Sequence, residues 1–82
     1  MTVPKIVRVT PQNDMLLDVV FEGGKIRELD VKPYLESFEA FRELTNPALF
    51  RAARVDVGGM GIVWNDRIDL SRYDAWEFGI AK

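Results

Sequence analysis

Two stretches that alternate apolar and polar side chains, residues 15–21 and 25–31, are joined by Glu22-Gly23-Gly24, a pattern that folds as an antiparallel hairpin. Which faces meet sets the turn length. A two-residue Gly23-Gly24 turn places Val19 opposite Glu28 and Leu17 opposite Asp30, mixing apolar with charged positions. A three-residue turn with Gly24 in a left-handed bulge pairs Leu17 with Leu29 and Met15 with Val31, which keeps one face apolar. The bulged register is therefore expected. It leaves Arg27 beside Val19 on the apolar face, so the guanidinium has to reach an edge or meet a carboxylate.

The rest of the chain adds to this hairpin. Residues 5–10 are β-branched and bounded by Pro4 and Pro11, which predicts a first strand and a turn at 11–14. Pro33 has no amide hydrogen for a ladder, but its fixed φ suits the first turn of a helix. Phe38, Phe41, Leu44 and Leu49 recur at near-helical spacing, with Glu36, Glu39, Arg42 and Glu43 mostly opposite, so a helix is expected to lay an aromatic stripe on the sheet. Asn46 as N-cap and Pro47 as first helical residue predict a second short turn over 48–50. Residues 52–57 read as a fourth strand, with Ala53, Val55 and Val57 facing one way. Glycines at 58–61 return the chain as a fifth strand over 62–65. Ser71 then caps a last helix with Asp74 three residues on; Tyr73, Trp76 and Ile80 share its docking face and Gly79 stops it. The sum is one α+β domain over residues 1–82. It has a small antiparallel sheet of about five strands in two hairpins, with helices inserted after the third strand and at the C-terminus.

Composition narrows the chemistry. The 82 residues contain no Cys, which removes thiolate nucleophiles, disulfides and sulfur-built zinc sites. They contain no His, the usual general base near neutrality and a common metal ligand. Any catalysis would have to rest on carboxylates, Lys, Arg or Tyr. A net charge of -2 supplies no general attraction to phosphate backbones or anionic lipid, so neither direct nucleic-acid binding nor a membrane is expected. No signal-like or membrane-spanning apolar run is present, which makes the cytoplasm the expected location. No cofactor is expected.

Three blocks, taken in order, resemble a known family. They are Phe21-Glu22-Gly23-Gly24-Lys25 with residues 29–35; Phe41-x-x-Leu44 with Pro47-x-Leu49-Phe50; and Gly61-x-x-x-Asn65 around Trp64, continued by Ile68-Asp69-Leu70-Ser71 and Trp76-Glu77-x-Gly79. Together they resemble the small bacterial family catalogued as domain of unknown function 2442. The chain departs from that pattern at Asn65 and Arg67, where the family more often has Pro and Gly. The resemblance implies a stand-alone α+β module, or one joined to a helix-turn-helix, with a partner-binding or antitoxin-like role in a two-gene pair and no established active site.

Several residues are candidates for contact with a partner. Trp64, Asn65, Asp66, Arg67 and Asp69 form the densest polar corner, and Tyr73 and Trp76 an aromatic helix face. The structural alternative is that Trp64 is core, Asn65 and Asp66 make a turn, and Asp69 caps backbone amides near the last helix. Arg42, Arg51 and Arg54 make a secondary basic patch that suits an acidic partner. Asp66, Asp69, Asp74 and Glu77 do not match the spacing of a calcium loop, so no metal is assigned. Alternation sends Glu28 and Asp30 to the solvent side. The leading expectation is a non-enzymatic interaction module that binds a protein partner or forms a homodimer, through the edge of strand 1 or strand 5 or through the last helix. A small-ligand or carboxylate/Arg-based enzymatic domain is one alternative, for which a cleft holding Arg27 beside an acid would speak. An accessory to a DNA-binding partner is another.

Overall fold

The computed structural model describes residues 2–82. The chain is α+β, as expected, but its strands divide between two antiparallel sheets. Its elements run β1 (Ile6–Pro11), β2 (Leu16–Phe21), β3 (Ile26–Asp30), α1 (Lys32–Ser37), a 3-10 segment (Glu39–Thr45), α2 (Pro47–Phe50), β4 (Arg54–Val55), β5 (Gly61–Asn65), β6 (Ile68–Ser71), α3 (Arg72–Phe78) and β7 (Ile80–Ala81). One sheet has the order β1-β2-β3-β7 and the other β4-β5-β6.

The central hairpin takes the bulged register. Leu17 lies opposite Leu29 and Val19 opposite Arg27, while the Val31 amide donates to the Met15 carbonyl at 3.0 Å. Gly23 and Gly24 hold φ of 93° and 92°, a region that β-carbons disfavour. Leu17, Val19 and Phe21 therefore all point into the core with Leu29 and Val31. Arg27 solves its burial differently from either expectation. Its guanidinium carbon stands 3.9 Å over the Trp76 ring, and Nη1 donates to the Trp76 carbonyl at 2.7 Å. An aromatic face and the end of a helix thus stand in for a carboxylate.

The helical region breaks where one continuous helix was expected. Pro33 does start α1, but Phe38 is extended (φ -132°, ψ 120°), and a 3-10 segment follows. Because residues three apart eclipse in a 3-10 helix, Phe41 and Leu44 fall on one side and are buried. Phe38 lies outside that alignment and remains 53% exposed. Asn46 caps α2 as expected, its Oδ1 accepting from the Ala48 amide at 3.0 Å.

The fourth strand is shorter than its sequence suggests. Asp56 Oδ1 accepts from the Val57 amide at 2.8 Å and starts a 3-10 turn, so the ladder ends at Val55 and Val57 is 88% exposed. The polar corner after β5 is a second tight hairpin rather than a passage from strand to helix. Ile68 and Leu70 alternate with Asp69 and Ser71, and β6 pairs Leu70 with Ile62. The fifth expected strand is thus the centre of its sheet, and both its edges are occupied.

Helix α3 starts directly from β6. Ser71 Oγ accepts from the Asp74 amide at 3.2 Å. The docked face is Arg72, Ala75 and Trp76, whereas Tyr73 and Ile80 point outward. Trp76 meets the Phe21 ring edge-on at 5.0 Å between centroids. Gly79 ends the helix through close approach, since a β-carbon there would collide with the Ala75 carbonyl and come within 2.8 Å of the Arg27 β-carbon. Ser71→Ala should cost about 1 kcal/mol by removing the cap. That corresponds to a melting temperature about 4–8 °C lower for a domain this size. Differential scanning calorimetry checks it.

At the far edge, Lys82 Nζ lies 3.0 Å from Asp18 and 3.8 Å from Glu28, two carboxylates directly opposite each other on β2 and β3. The cation offsets a like-charge pair that would otherwise repel. No helix among the described residues is long and apolar enough to cross a membrane.

Candidate functional site

The segment that breaks the expected helix also builds the main surface feature. Tyr34 on α1 stacks on Phe38 (6.3 Å) and on Phe41 (5.5 Å), and Phe41 meets the buried Trp64 at 6.0 Å. Aromatic contact thus runs without a gap from the core to the surface. Across from it, α3 contributes Phe78, 65% exposed, and β6 contributes Leu70 between the two walls.

The result is a groove with two lobes that share Tyr34, Phe38 and Phe78. One lobe, about 370 Å³, is mainly apolar and is completed by Pro33, Ser37 and Asp30. The other, about 420 Å³, adds Phe41, Asp69, Leu70 and Asp74. Burial, and then the nearby Asp74 charge, raise the Tyr34 pKa above its ordinary value. The phenol, protonated in the neutral range like any tyrosine, presents a donor beside a carboxylate.

The acidic groups around the groove differ in their pairing. Asp30 accepts from the Lys32 backbone amide and pairs with its ammonium, both at 3.0 Å. Burial alone would raise the Asp30 pKa, but the Lys32 contacts prevail and lower it. Asp69 and Asp74 have no ion-pair partner among the described residues. The neighbouring cations are engaged elsewhere. Arg42 donates to the Leu35 carbonyl at 3.3 Å, Arg67 grips both Glu43 oxygens at 2.7 and 2.9 Å, and Arg72 turns to Met60 and Tyr73.

A family model described as a protein of unknown function, DUF2442, matches residues 6–72. The chain belongs to the DUF2442 family. No curated protein and no solved structure matches it. The DUF2442 match spans β1 to the first residue of α3, so it includes the α1 wall of the groove and the β6 residues between the walls. Asp74 and Phe78 lie beyond it.

In this DUF2442 chain Asn65 and Arg67 both serve the fold. Asn65 Oδ1 accepts from the Arg67 amide at 2.9 Å and the Ile68 amide at 3.0 Å, closing the β5–β6 turn. Arg67 ties that turn to the 3-10 segment through Glu43, and the Glu43 carboxylate raises the Arg67 pKa further. Asp66 is exposed on the same turn. Trp64 is 3% exposed, and its indole N–H donates to the Phe50 carbonyl at 3.1 Å, so it has no surface to offer a partner. The capping role expected of Asp69 belongs to Ser71, which leaves Asp69 free to line the groove. Tyr73 is 55% exposed and Trp76 is half-buried beneath Arg27.

The other candidates disperse. Arg54 donates to the Trp64 carbonyl at 3.5 Å, and Arg51 borders a separate depression of about 320 Å³ beside residues 11–15. Arg42 and Arg54 thus spend donors on the chain's own backbone, and Arg42 and Arg51 border different depressions. Among the described residues no three acidic side chains converge on one point. Arg27 does not face a carboxylate across a cleft; the depression that it borders is lined by residues 23–27, Ala81 and Lys82.

Sequence reasoning missed Tyr34, Phe38 and Phe78 as surface residues and Arg72 as a buried one. A stripe of Phe at three-residue spacing reads as core in any periodic template. The available signal was Pro33 ahead of a run too polar for a long docked helix. Arg72 is only 9% exposed and its buried Nε has no hydrogen-bond partner, while Nη1 donates to Met60 Sδ at 2.8 Å and Nη2 to the Tyr73 hydroxyl at 3.1 Å.

Proposed function

We propose that this chain is a protein-interaction module whose contact surface is the aromatic groove between α1 and α3. The observation that carries this reading is the pair of large exposed rings, Phe38 and Phe78, on either side of one groove. A small domain gains nothing for its own stability by holding two phenylalanines in water, whereas burying them against a partner releases apolar surface. An aromatic-lined groove of this kind supplies the few anchor positions on which most binding energy concentrates. The regulatory or antitoxin-like pairing implied by the family resemblance is a role that such a surface serves. Among the described residues no hydrogen bond in the groove joins a nucleophile to a base, which favours recognition over catalysis.

The test is a double substitution, Phe38→Ser with Phe78→Ser. Both side chains are exposed, so the melting temperature should shift by only a few degrees, while a partner that co-purifies with the unmodified chain should be lost. Retention of that partner by the folded double variant overturns the reading. Sedimentation of the chain alone distinguishes self-association through the same face from capture of a different protein.

A further inference from the structure

Resting on the groove as a contact surface, we infer that its occupant is an arginine-bearing segment of a second protein, with an apolar side chain next to the arginine. Charge complementarity carries the choice. Asp69 and Asp74 border the lobe that holds Tyr34, Phe38, Phe41 and Phe78, and neither has a cationic partner among the described residues. A planar guanidinium matches both halves of such a surface, since it lies on aromatic faces and forks onto carboxylates. A compact ammonium matches the carboxylates but stacks less well.

The chain already uses the same contact internally. Arg27 lies over Trp76 at 3.9 Å and Arg72 beside Tyr73 at 5.0 Å, so stacking of a guanidinium on an aromatic ring recurs in this fold. The groove presents the complementary half of that pair without its cation. The second lobe explains why the occupant is a peptide segment rather than a small cation. Its walls are Pro33, Tyr34, Phe38 and Phe78, and the one carboxylate there, Asp30, is taken by Lys32. An apolar neighbour of the arginine fills it.

The experiment uses the full 82-residue chain and three blocked peptides: Leu-Arg-Leu, the same peptide with citrulline for arginine, and the same with glutamate. Citrulline keeps the shape and removes the charge. Binding is followed by NMR through the ring signals of Tyr34, Phe38 and Phe78. The arginine peptide should shift these signals and bind roughly tenfold more tightly than the citrulline peptide, with the difference shrinking at high salt. The glutamate peptide should be weakest. Asp69→Asn with Asp74→Asn should abolish the preference while leaving the remaining spectrum folded. Equal binding of the arginine and citrulline peptides overturns the charge inference and leaves the groove as an apolar contact surface. Absence of any shift in the groove with all three peptides also overturns it. Loss of partner in the Phe38/Phe78 variant is measured separately, so the two readings fail independently.

Discussion

Trp64→Ala should lower the unfolding free energy by about 3–5 kcal/mol, the usual cost of emptying a large aromatic site in a core. Trp64 is the joint between the two sheets' contents and the groove. Its ring meets Phe41, which in turn carries Tyr34 and Phe38, and its indole N–H holds the Phe50 carbonyl at the end of α2. A chain of 82 residues has a total stability on the order of 4–12 kcal/mol, so the loss is between about a quarter and all of what holds the fold together. Urea titration followed by circular dichroism measures this. With a slope of about 1 kcal/mol per molar, the midpoint should fall by about 3 M or more. Trp64→Phe is the control: it keeps most of the packing and loses the hydrogen bond, so its cost should be about 1–2 kcal/mol. A cost for alanine below that of phenylalanine would contradict the placement of Trp64 in the core.

Gly59→Ala should also be strongly damaging, whereas its neighbour Gly58→Ala should be mild. Both glycines have positive φ, 70° at Gly58 and 73° at Gly59, so each alanine carries about 1–2 kcal/mol of backbone strain. Only Gly59 is also crowded. A β-carbon there would stand 2.6 Å from the Ile6 carbonyl oxygen and 2.9 Å from the Lys5 β-carbon, where the 3-10 turn seats on β1. At Gly58 the nearest atom is Met60 Cγ at 3.6 Å, an ordinary contact. Forcing backbone apart adds about 1–3 kcal/mol, so Gly59→Ala should cost about 2–5 kcal/mol in total. Thermal unfolding of the two variants side by side checks the difference. Equal losses would mean that strain alone matters and that the turn does not seat on β1.

Local patterning carried some elements and failed at others for identifiable reasons. The hairpin register was legible because a one-residue slip would turn Leu17 and Val19 into water. The Asn46 and Ser71 caps were legible because capping is a contact between near neighbours. Strand β6 was harder to see: four residues between a polar turn and a helix are too few for alternation to stand out, although Ile68 and Leu70 do alternate with Asp69 and Ser71. Strand β7 has no pattern at all. Its two residues form a strand because β3 offers a free edge and Lys82 anchors to Asp18 and Glu28, residues 64 and 54 positions earlier.

The candidate site divides in the same way. Of the partner-contact candidates, Asp69 lines the groove, while Asn65 and Arg67 are engaged in the turn and its tie to Glu43. The groove's aromatic half was hidden in a stripe that resembles core.

From the residues alone it follows that this chain is α+β, that its central hairpin is bulged, that chemistry based on thiols or imidazoles is closed to it, and that its blocks resemble DUF2442. These depend on residue identity and on spacing within a few positions. Tertiary structure alone decided that the strands divide into two sheets, that Arg27 is met by Trp76, and that Phe38 and Phe78 face each other across a groove bordered by unpaired carboxylates. Each of those outcomes joins residues about 40 or more positions apart, or depends on which of several apolar stripes fills the limited interior. In a domain this small the interior cannot take every large side chain. Competition for that space, which no local pattern records, left two phenylalanines at the surface.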